Sequence, residues 1–174
     1  MLLVGGWTLA AALQPAGYDP VRDTISALAA RGASDRWVMS LALLGVAACY
    51  TVTAAALVPA RRAARVLLAA GGLATAGVAA FPQPRHGNSV AHTVAAALAF
   101  AALALWPVVA ASGSPVPLLH PPAGVAATLV MVGAILWFLA EIHGGHRGLA
   151  ERAAAGSEAL WPLAVVTSWR AVRT

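Results

Sequence analysis

The sequence predicts an all-α fold: a polytopic bundle of about six transmembrane helices, with a short interfacial helix after the first span. Three observations predict it. The chain of 174 residues is 60% hydrophobic and 10% charged, whereas a soluble domain carries roughly 25% charged residues. Its mean hydropathy is +0.79. Its apolar residues fall in blocks of about 20, the length that crosses a bilayer core of about 30 Å. Backbone in a bilayer must satisfy its own hydrogen bonds, so such blocks are helices. A single integral membrane domain over 1–174 accounts for the chain, because no hydrophilic stretch is long enough for a second.

The first span covers 1–16. At helical rise it reaches only about 24 Å, so it is thin, or tilted, or the chain starts upstream of Met1. It lacks a basic leader and runs into Gln14-Pro15, which marks a retained span rather than a cleaved signal. In the loop from 17 to 35, Asp19 is the expected cap of a short helix and Pro20 suits its first turn. Val21, Ile25, Leu28 and Ala29 then share one face, which predicts an amphipathic helix at the outer interface. Gly32 ends it, and Ser34 is the expected cap of the second span.

The remaining spans run over 36–59, 62–81, 88–111, 122–142 and 148–169. Prolines and glycines such as Pro59, Pro82, Pro84, Pro121, Gly144 and Gly145 punctuate their joints. Small residues such as Gly71 and Gly72 inside the spans allow close helix approach. Cys49, the one cysteine, lies within a span and reads as a small buried apolar side chain. Trp37, Trp106 and Trp169 suit interfacial belts.

The formal net charge is +5, and every basic residue is arginine. The arginines sit at span ends with no basic stripe or aromatic platform, which argues against nucleic acid. With six spans, Arg61, Arg62 and Arg65 share a side with Arg170 and Arg173. The positive-inside rule then puts both termini in the cytoplasm, with the plasma membrane as location and the lipid bilayer as first partner. The oligomeric state stays open.

That topology gathers Asp19, Arg22, Asp23, Arg85, His86, Glu141, His143, His146, Arg147, Glu151 and Arg152 at the extracytoplasmic end, with His92 about one turn inside. His143 and His146 are three apart. With His92 and Asp23 they make a candidate metal set, for which zinc is the natural ion and hydrolysis the natural chemistry. The plainer reading is histidines facing water and headgroups. Glu158 falls near the middle of the last span, where a carboxylate must be neutral, paired or wet. Glu151 lies seven residues earlier on about the same face. Either they line a polar cavity, or Glu158 bonds Thr51, Thr53 or Thr75 and locks the bundle. Ser26 is a candidate nucleophile without the Gly-x-Ser-x-Gly elbow.

Three stretches then carry a resemblance. Tyr18-Asp19-Pro20-Val21-Arg22-Asp23-Thr24-Ile25-Ser26-Ala27-Leu28 follows the first span. Phe81-Pro82 ends the third and His92 opens the fourth. Gly148-Leu149-Ala150-Glu151-Arg152 opens the last. Together they resemble a bacterial and archaeal family of multi-pass membrane proteins, domain of unknown function number nine hundred ninety-eight. The resemblance implies a compact helical membrane domain of similar size and transfers no activity. Its matching positions are Asp19, Asp23, Ser26, His92, Glu151 and Arg152.

Three functions compete. The first is binding or transport of a lipid or small molecule at a site of Asp19, Arg22, Asp23, Arg147 and Arg152, with Glu158 as a proton site. The second is a metal-dependent intramembrane hydrolase or transferase on a lipid-like substrate, with Glu151, Glu158 and Ser26 as catalytic candidates. The third is a structural accessory subunit. Binding or transport ranks first.

Overall fold

The computed structural model describes residues 2–84 and 87–173, so Met1, Arg85, His86 and Thr174 lie outside the described residues. The described residues form helices joined by loops, with no strand among them, in the order α1 (Leu2–Ala12), α2 (Ile25–Leu28), α3 (Trp37–Ala56), α4 (Arg62–Ala80), α5 (Val90–Ala110), α6 (Pro121–Ala140) and α7 (Arg147–Ala171). A 3-10 turn at Pro117–Leu119 precedes α6.

Four of these helices, α3 to α6, are long and apolar enough to cross a membrane, and the chain is a membrane protein. Their outer faces are lined by large apolar side chains, among them Leu41, Val66, Leu73, Leu98, Leu129 and Val130. The contacts between helices are made largely by small residues, including Ala47, Ala54, Ala64, Gly71, Gly72 and Ala99. Without a hydrophobic drive between helices in lipid, close backbone approach supplies the packing. Gly72 shows the tolerance: a Cβ there would stand 3.0 Å from the Ala47 carbonyl and from Tyr50.

α1 and α7 stand apart from that set. α1 has 11 residues, shorter than the span expected over 1–16. α7 has 25 residues but carries Glu151, Arg152 and Glu158. In chain order α3 packs on α4, α4 on α5, α5 on α6 and α6 on α7, while α1 packs on α3. Arg65 closes the α3–α4 junction. Its Nε donates to the Ala54 carbonyl at 2.7 Å and an Nη to that of Ala55, acceptors that α3 leaves unpaired at its end.

The loop helix departs from expectation. Only one turn forms, and its cap is Thr24, whose Oγ1 accepts from Ala27 N at 3.1 Å. Asp19 is drawn away because its carboxylate takes the Val21 N–H at 2.9 Å, a turn of its own. Ile25, Leu28 and Ala29 are buried within the protein, whereas Val21 is exposed. Ser34 does not cap α3. Its N–H goes to Gln14 Oε1 and its carbonyl receives Gln14 Nε2, which ties the end of α1 to the start of α3. Two further expectations are corrected. Trp106 is fully buried in the bundle rather than at an interface. Cys49 is exposed, on a groove that α3 shares with α1 and α7, rather than buried.

Candidate functional site

Three chain segments meet at one end of the bundle. The loop from 17 to 24 lays its backbone over the start of α7, and Gly148 is what lets it. A Cβ at Gly148 would collide with the carbonyl oxygens of Asp23 and Pro20. One turn on, Arg152 fastens the loop. One Nη donates to the carbonyls of Pro20 at 2.7 Å, Asp23 at 2.8 Å and Gly148 at 2.9 Å. The other Nη donates to the Tyr18 hydroxyl. Burial raises the Tyr18 phenol above its ordinary range despite the downward pull of Arg152, so it serves Arg152 as a neutral acceptor. Arg147 donates to the Arg22 carbonyl at 2.9 Å and lies 3.9 Å from the Asp23 carboxylate. Asp23 in turn accepts from Asp19 N at 2.9 Å.

Beneath this clamp lies a triangle of Ser26, His92 and Glu151, the last two buried and Ser26 half-buried. The Ser26 hydroxyl, on α2, donates to Oε1 of Glu151 at 2.9 Å. Its Oγ is 3.2 Å from Nε2 of His92. Oε2 of Glu151 accepts the Ile25 N–H. His92 sits near the start of α5, where Ser89 caps the helix by accepting from His92 N. Nδ1 of His92 is 3.0 Å from the Phe81 carbonyl. A carbonyl only accepts, so Nδ1 carries the proton and the Nε2 lone pair faces Ser26 in the neutral ring. Ser26 has one proton and two acceptors in reach, so its hydroxyl donates to one of them at a time. His92 and Glu151 are 2% and 5% exposed.

Ser26 and Glu151 also form the roof of a cavity of about 70 Å³, room for a few waters or a small group. Its walls are aliphatic, with Leu3, Leu43, Val46, Val78, Ala99 and Leu103 among them. Its remaining polar groups are Tyr50, Thr75 and Glu158. Glu158 is 2% exposed, about two turns deeper along α7 than Glu151. Its Oε1 has no hydrogen-bond partner among the described residues. Thr75 gives its hydroxyl to the Gly71 carbonyl and Thr51 gives its own to Ala47, so neither locks Glu158 to its neighbours.

The predicted candidates therefore separate into groups. Ser26, Glu151 and Glu158 line one cavity, and His92 reaches it only through Ser26. Asp19, Asp23, Arg147 and Arg152 hold the covering loop together, and Arg22 is an exposed partner of Asp19 at 3.6 Å. His143 is exposed in the α6–α7 turn, and His146 lies 3.7 Å from Glu141. Among the described residues no three His, Cys, Asp or Glu side chains converge to hold a metal ion. Sequence reasoning passed over Tyr18, Tyr50 and the Phe81 carbonyl as site members. Tyr18 and Phe81 lay within the quoted stretches, but nothing in spacing joined them to Arg152 or His92.

A family model described as "Protein of unknown function (DUF998)" matches residues 1–168. No curated protein and no solved structure matches the chain.

Proposed function

Since the chain belongs to the DUF998 family, whose description assigns no activity, we propose from its geometry that it binds a lipid-like or small amphipathic molecule inside the bundle. The observation that carries this is the cavity under Ser26 and Glu151: aliphatic walls with a few polar groups that converge on one space. Such a combination is the usual make-up of a small-molecule site. In this reading α1 and α7 join α3 to α6 as a six-helix membrane bundle in the plasma membrane. Both termini are cytoplasmic and the site opens toward the outer end.

Native mass spectrometry of the protein released from nanodiscs tests the reading. The wild type is expected to retain a bound molecule. Ala155→Leu, which fills the cavity wall, is expected to lose it while still folding. A molecule retained equally by both proteins would place the ligand elsewhere, and none in either would remove the reading.

The same triangle favours a second reading, a hydrolase or transferase acting on a lipid-like substrate. Its support is specific: an imidazole oriented by a backbone carbonyl, with Nε2 at 3.2 Å from a serine hydroxyl. That is the arrangement of orienter, base and nucleophile. A fluorophosphonate probe distinguishes it. A covalent adduct on Ser26, absent from His92→Ala, supports catalysis, whereas no adduct on folded protein counts against it.

A further inference from the structure

Two carboxyl groups face the cavity, Glu151 at its roof and Glu158 in its wall, and no arginine is among its lining residues. The two arginines that open α7, Arg147 and Arg152, are committed elsewhere. Arg152 is spread over three backbone carbonyls and Tyr18, and Arg147 is held by the Arg22 carbonyl. An anionic group entering this space would meet two acids and no cation. The roof acid has its partners, with Ile25 N on one oxygen and Ser26 on the other. Among the described residues the wall acid has none on Oε1, although it is 2% exposed.

From this we infer that the cavity recognises a lipophilic amine: an ammonium or amine head bound to Glu158, with an alkyl body against Leu43, Val46, Val78 and Leu103. The inference rests on the binding reading above and names its ligand class. The chemistry is complementary on each count. An amine head brings several N–H donors to an oxygen that lacks one. An ammonium also neutralises a carboxylate that is costly to ionise alone at this depth. The bound pair has the same net charge whether the proton rests on nitrogen or on oxygen. Tyr50 stands in the same cavity with a hydroxyl that can accept from a second N–H. The apolar walls exclude a heavily hydrated cation, which would have to shed its water without enough oxygen ligands to replace it.

The test uses the full chain in nanodiscs of neutral lipid at neutral pH, with hexylamine, hexanol and hexanoate as matched probes. The readout is the shift in Tm as each probe is titrated, since a ligand of the folded state raises Tm with its concentration. Hexylamine is expected to stabilise the wild type at lower concentration than hexanol, and hexanoate is expected to do nothing. Glu158→Gln is expected to weaken the hexylamine response about tenfold, the loss of one charge-assisted hydrogen bond, and to leave the hexanol response in place. Equal responses to all three probes in the wild type would overturn the amine inference and leave the cavity reading standing. A response to none would overturn both. The wild-type comparison decides the matter even where Glu158→Gln fails to fold. A hexylamine response that persists unchanged in folded Glu158→Gln would also overturn it.

Discussion

The hydroxyl oxygen of Ser26 stands 2.9 Å from Oε1 of Glu151, across 125 positions of sequence. The backbone N–H beside it, at Ile25, meets the other oxygen of the same carboxylate. One side chain of α7 thus serves as the anchor of the helix that follows the first loop, and it does so while buried.

Removing that anchor leaves the Ile25 N–H without a partner, while the Ser26 hydroxyl can turn to Nε2 of His92. Glu151→Ala is expected to lower stability by about 1–3 kcal/mol, the cost of one buried unsatisfied group. Glu151→Gln keeps one acceptor oxygen and is expected to lose less. Thermal unfolding of the three proteins in one detergent checks the order Glu, Gln, Ala. An Ala variant as stable as wild type would mean that the contact contributes nothing net.

Gly148 and Gly145 form a matched pair. A Cβ at Gly148 meets two backbone carbonyls of the covering loop, while one at Gly145 has nothing within 4 Å. Gly148→Ala is expected to cost about 1–3 kcal/mol through forced backbone displacement. Gly145→Ala is expected to fall within about 0.5 kcal/mol of wild type. Equal stability of the two variants would show that the loop yields without strain.

Arg152 is expected not to tolerate lysine. Its guanidinium reaches carbonyls of Pro20, Asp23 and Gly148 together with Tyr18, and an ammonium has neither the reach nor the fork to do so. Hydrogen exchange over residues 17–24 is expected to quicken in Arg152→Lys nearly as much as in Arg152→Ala. Tyr18→Phe, which removes one of the four partners, is expected to change it less. Full protection in the lysine variant would assign the clamp to charge alone.

Ser26 and His92 are expected to be energetically coupled. A double-mutant cycle of Ser26→Ala and His92→Ala on stability is expected to give about 0.5–1.5 kcal/mol of interaction, as for a buried hydrogen-bonded pair. Additive effects would mean that the 3.2 Å approach is contact without bonding.

Much of this was legible in the sequence, and the boundary is physical. Blocks of apolar residues report helices directly, because a bilayer leaves the backbone no alternative, and α3 to α6 follow from that alone. Glu151 and Glu158 were placed on one buried face by their spacing of seven. Ser26 and His92 were each singled out, but their meeting was not visible. They lie 66 positions apart on elements whose mutual placement no local pattern encodes. Arginines read as anchors by composition, yet Arg152 bonds backbone carbonyls, and such acceptors are the same in every sequence. Asp19 misled because its carboxylate suits both a helix cap and a local turn, and the two-residue turn onto Val21 prevailed.

The self-contained closure of α3 onto α4 by Arg65 has a consequence for biogenesis. That junction uses Ala54, Ala55 and Arg65, all translated within a dozen residues of one another. The hairpin can therefore leave the translocon finished, with no partner still inside the ribosome. The loop before it cannot. Its donors at Ile25 and Ser26 wait for a carboxylate made 125 residues after Ser26. Truncated nascent chains should acquire protease resistance in the hairpin early, and at the N-terminal loop only when the final helix has been released.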